Sequence, residues 1–315
     1  MAQMDIEQLS PDLPLKPLYV IHGEEDLLRV EALDVLRQAA RQQGYLNREV
    51  YSADSASFDW QELLHAAGSM GLFADLKLLE IHIPGGKPGK AGGDALQELA
   101  GRLPEDTAVV LMLPKLERAQ MQAKWFAVLA KHGVVLEAKA VSGAALPQWI
   151  QGRLKQAGLE IEADALSLFA ERVEGNLLAA KQEIDKLALE NEIIKAKQNG
   201  KKYFIAVANM GTTMFGSVDN PDDYISILEK HNLEYKLHID GAYGGFVYPF
   251  SNQKSTINFN NPKISSITID AHKMLQSPYG TGVFVPAINS PITDSCRFQF
   301  PLLSASLWET ICECL

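Results

Sequence analysis

The stretch SITIDAHKML, residues 266–275, closes a β-branched apolar run with Asp270 and then sets His272 beside Lys273. A lysine just past the end of a buried strand is well placed to attack a carbonyl and form a Schiff base. Two other stretches put small and polar residues at what read as strand ends: GTT, 211–213, and HIDGAYGGF, 238–246. Taken singly, Asp240 reads as a strand-end turn residue and Lys273 as a solvated lysine.

The elements that must position these residues are legible. YFIAVANMG (203–211), YKLHIDGAYGG (235–245), SSITIDAHKM (265–274) and GTGVFVPA (280–287) read as buried strands. NPDDYISILEKHN (220–232) reads as a helix capped by Asn220, with Pro221 in its first turn.

In this order GTT, HIDGAYGGF and DAHKM resemble the group II pyridoxal-phosphate-dependent amino-acid decarboxylases, over about residues 192–285. The resemblance implies an incomplete α/β fragment of a fold-type I pyridoxal-phosphate enzyme. It implies pyridoxal phosphate as cofactor, with Lys273 as the Schiff-base lysine and Asp240 paired with the pyridine nitrogen. Ala242 would lie against the ring, His272 would help hold the phosphate, and Thr212 would support the Asp240 end. In that family a Gly/Ser-rich phosphate cup and a ring-stacking side chain precede GTT. Other sequence fills that space here, and only about thirty residues follow GTGVF, where a small C-terminal domain is expected. The fragment thus has the lysine and the ring carboxylate without the phosphate site.

Residues 1–189 follow a different pattern. LYVIH (18–22), REVYS (48–52), KLLEIHI (77–83), TAVVLML (107–113) and VVLEA (134–138) read as strands, with helices over 26–44, 94–103 and 118–133. This alternation predicts a mostly parallel sheet covered by helices. From about residue 143, three segments (145–158, 163–175, 176–189) read as a small helical bundle.

A strand, Gly23 and a helix is where a nucleotide-binding fold places its phosphate loop. HGEEDLLRV carries Glu24, Glu25 and Asp26 there, which would repel phosphate. In PGGKPGKAGGD (84–94) the glycine spacing is one short and Ala91 stands where Ser or Thr belongs, so it reads as a polar loop. In AAGSMGLFADLKLL (66–79), Leu72 and Phe73 read from pattern alone as core residues entering the next strand.

The ordered set LYVIHGEEDLLRVEALDVLR, SMGLFADLKLLEI, TAVVLMLPKLER and WIQGRLKQAGLEIEADALSLFAERVEGNLLAAKQEIDKLAL resembles the delta subunit of the bacterial DNA polymerase III clamp loader. That resemblance implies an ATPase-like parallel-sheet domain without a working phosphate loop, and no cofactor for residues 1–189. It also implies that Leu72 and Phe73 insert into an apolar pocket of the sliding clamp, with Met70 as a neighbouring contact. The implied partners are the sliding clamp and the other loader subunits, with DNA engaged indirectly.

The composition shifts near residue 190. Residues 1–189 hold two Asn and eight Arg, whereas 190–315 hold ten Asn and one Arg, Arg297. This points to two unrelated sequences joined together, against a natural fusion of uneven composition. The expected organisation is 1–142, an ATPase-like domain; 143–189, a truncated helical bundle; 190–285, a pyridoxal-phosphate-enzyme-like sheet fragment; and 286–315, an unassigned tail.

The net charge of −10 argues against a broad basic face for nucleic acid. No apolar run approaches a membrane span, so a cytoplasmic protein with no membrane partner is expected. Cys296, Cys312 and Cys314 form neither a CxxC pair nor a disulfide framework, and no metal site is expected. The leading reading is a clamp-binding delta-like module. The alternative is a decarboxylase with a depleted site, and a third reading is a composite with neither activity.

Overall fold

A computed structural model describes every residue except 1, 5, 56, 69–75, 142, 212–217, 252–255, 275–281 and 288–315. The strands are β1 (Ala2–Gln3), β2 (Leu18–Gly23), β3 (Asn47–Ser52), β4 (Lys77–His82), β5 (Thr107–Met112), β6 (Val134–Ala138), β7 (Tyr203–Asn209), β8 (Glu234–Gly241), β9 (Ile264–Asp270) and β10 (Gly282–Pro286). The helices are α1 (Asp26–Gln42), α2 (Trp60–Gly68), α3 (Gly89–Gly101), α4 (Arg118–Met121), α5 (Lys124–His132), α6 (Ala145–Gln156), α7 (Ala163–Val173), α8 (Leu177–Gln198), α9 (Pro221–Lys230), α10 (Tyr248–Ser251) and α11 (Ala271–Met274). The chain forms two compact units: Met1–Trp149 with Ser167–Leu178, and Ile150–Leu166 with Ala179–Leu315.

The first unit is built on a six-stranded parallel sheet, in the order β1-β6-β2-β5-β4-β3. Its central strands are buried on both faces, which is why they read as unbroken apolar runs. Leu18, Val20, Leu79, Ile81, Val109 and Leu111 face α2, α3 and α5. Tyr19, Ile21, Leu78, Val110 and Leu136 face Ala32, Leu33 and Leu36 of α1.

At the end of β2, Gly23 takes φ +148°, and a β-carbon there would lie 2.1 Å from the Ala138 carbonyl oxygen. That oxygen accepts from the amides of Glu24 (2.9 Å) and Glu25 (3.2 Å). The amides leading into α1 are therefore spent on the end of β6.

The stretch expected to be a polar loop at 84–94 is a loop only to Pro88, because α3 starts at Gly89. The glycines that suggest a loop serve packing here. Gly92 lies under the Trp60 indole, where a β-carbon would come within 2.5 Å of the ring.

The second unit carries a four-stranded sheet, order β10-β9-β8-β7, with β7, β8 and β9 parallel and β10 antiparallel to β9. One face packs Ala208, Met210, Leu237, Ile239, Ile267 and Ile269 into a core. Helix α8 runs unbroken through the change of composition. In its later half Ile193 packs with Ile227 and Leu228 of α9, and Glu190 binds Lys230 and His231.

Candidate functional site at the strand ends of the second unit

Because β7, β8 and β9 are parallel, their C-terminal ends share one edge of the sheet. Register places Asn209 beside Asp240 and Asp240 beside Thr268. The chain leaves β9 through Asp270 directly into α11, which carries His272 and Lys273. Asp240, Ala242, His272 and Lys273 thus gather at one end of the sheet, where open α/β sheets place ligands. Met70, Leu72, Phe73 and Thr212 lie outside the described residues.

Asp240 is exposed, and its Oδ1 accepts the Ala242 amide at 3.1 Å, which fixes the turn leaving β8. The Ala242 carbonyl in turn accepts the Asp270 amide at 3.3 Å. The turn then folds closely over β7: a β-carbon on Gly244 would come 2.1 Å from the Met210 carbonyl oxygen. Glycine is required there by backbone contact. Lys273 Nζ lies 3.1 Å from Asp270 Oδ2, and His272 Nε2 lies 3.9 Å from the same oxygen.

A second cluster stands beside Asp240 on the sheet face opposite the core. His238 bonds Ser266 Oγ through Nδ1 (2.8 Å) and Thr268 Oγ1 through Nε2 (3.1 Å), and its ring stacks on Phe284 at 5.7 Å. Burial pushes the His238 pKa down, against the opposing pull of the Asp240 charge. Sequence reasoning passed over this cluster. Period-two alternation does put His238 and Asp240 on one face, but the partners come from strands whose register the sequence leaves open.

Among the described residues no group of three or more His, Cys, Asp or Glu is placed to hold a metal ion. Among the described residues no helix is long and apolar enough to cross a membrane. A cavity of about 520 Å³ lies in the first unit between α2 and α3, lined by Phe58, Trp60, Leu64, Asp94 and Glu98 among others.

Two family models match the chain. The DNA polymerase III delta subunit model covers residues 19–139, and the pyridoxal-dependent decarboxylase conserved domain covers 170–304. The chain is 33% identical over 191 residues to DNA polymerase III subunit delta of Escherichia coli, covering 60% of this chain and 55% of that protein. It is 56% identical over 108 residues to tryptophan decarboxylase of Clostridium sporogenes, covering 34% of this chain and 26% of that enzyme. A solved Bacillus subtilis DNA clamp loader delta protein matches at 20% identity and TM-score 0.45, covering 56% of this chain and 53% of that one. The chain spans about half the length of its delta relative and about a quarter of its decarboxylase relative. It therefore carries a DNA polymerase III delta-like region and, separate from it, a region like the pyridoxal-dependent decarboxylases.

Proposed function

We propose that the chain acts through its delta-like region, as a module that binds a DNA polymerase sliding clamp and helps to open it. The observation that carries this reading is the 33% identity over 191 residues to a DNA polymerase III delta subunit. Leu72 and Phe73 are the clamp-binding wedge, with Met70 beside them. Two large apolar side chains presented together gain roughly 1.5–3 kcal/mol each when a partner pocket covers them. The other loader subunits are further partners, and DNA is reached through the clamp.

The test is titration of the full chain against a bacterial sliding clamp. Replacing both Leu72 and Phe73 by Ala is expected to weaken binding by roughly 3–6 kcal/mol while the fold survives. Equal binding by the double variant would sink the wedge.

A second reading rests on Asp240 and Lys273 both lying at the C-terminal end of the parallel strands β7–β9. The residues present fit two points of pyridoxal phosphate that lie across its ring from each other: an amine for its aldehyde and a strand-end carboxylate for its ring nitrogen. Lys273 and Asp240 would hold those two atoms, Ala242 would back the ring, and His272 and Thr212 would support the phosphate side and the Asp240 end. When bound, the cofactor supplies an electron sink for decarboxylation of an amino acid. Asp240 would keep a proton on the ring nitrogen, and Lys273 would be placed to deliver one proton to the carbon that has lost carbon dioxide.

Borohydride reduction in the presence of pyridoxal phosphate, followed by peptide mapping, tests this. The expected result is weak labelling spread over several lysines, because phosphate anchoring normally supplies much of the cofactor's affinity. Stoichiometric labelling of Lys273, abolished in Lys273→Ala, would make the decarboxylase reading the better one.

A further inference from the structure

We draw no further inference here: the strongest candidate, the cavity between α2 and α3 where Asp59, Asp94 and Glu98 stand around Phe58 and Trp60, is a carboxylate cluster in which Asp59 caps α2 and Glu98 binds Arg102, and nothing in the structure shows what covers it.

Discussion

Lys273 Nζ sits 3.1 Å from Asp270 Oδ2, the carboxylate three residues earlier at the end of β9. The pair links the last residue of the strand to the short helix α11. A third of the Lys273 side chain is exposed, so solvent screens the attraction. Asp270→Asn is therefore expected to change the unfolding free energy of the second unit by less than about 1 kcal/mol. Denaturant unfolding checks this, and a loss well beyond that figure would mean that Asp270 holds the strand end by something more than this pair.

Glu80 behaves differently because it is fully buried in the first unit. Burial pushes its pKa up, but hydrogen bonds from Arg37 and His82 and the charges of Arg37 and Arg48 prevail and hold it at about 2. Arg37 grips both carboxylate oxygens, at 2.8 and 2.7 Å. Since the folded value lies below the ordinary 4.5, the stabilisation is complete above about pH 4.5 and is lost as pH falls toward 2. The first unit should lose on the order of 3 kcal/mol over that window. Glu80→Gln should flatten this acid limb, and an unchanged limb in the variant would contradict the assignment.

His238 predicts a loss at a higher pH in the second unit. Burial depresses its pKa below the ordinary 6.5, so the folded state prefers the neutral ring. The associated stability is complete above about pH 6.5 and declines as pH falls below it, because the unfolded chain binds the proton more readily. NMR titration of the His238 ring should give a midpoint below 6.5. His22 is shifted the same way by burial in the first unit, so His238→Gln separates the two contributions. A midpoint above 6.5 would show that the Asp240 charge, and not burial, governs the ring.

Most of the strands and helices were legible along the chain, although α2 and the start of α3 at Gly89 were not. Short unbroken apolar runs rich in β-branched residues, such as TAVVLM, suit strands buried on both faces, and the period of DLLRVEALDVLRQAARQ suits a helix with one apolar side. The motif HIDGAYGG ends a strand because its glycines and Asp240 favour a turn, and DAHKM does so because Asp270 follows a β-branched run. Both placements follow from local chain preferences, which act over a few residues and are written in the residues themselves.

Register and neighbourhood belong to the tertiary structure. That Asp240 lies beside Thr268, and that the His238 ring meets Ser266 and Phe284, depends on which strands pair and by what offset. A slip of one residue would turn those side chains to the other face. The glycines at 89, 92 and 93 favour a loop locally, yet they belong to a helix, and at Gly92 only a bare α-carbon admits the Trp60 ring packed over it. The exposure of Ile205 is likewise invisible along the chain: YFIAVAN reads as a buried strand, and only the packing of the opposite sheet face leaves Tyr203, Ile205 and Val207 exposed.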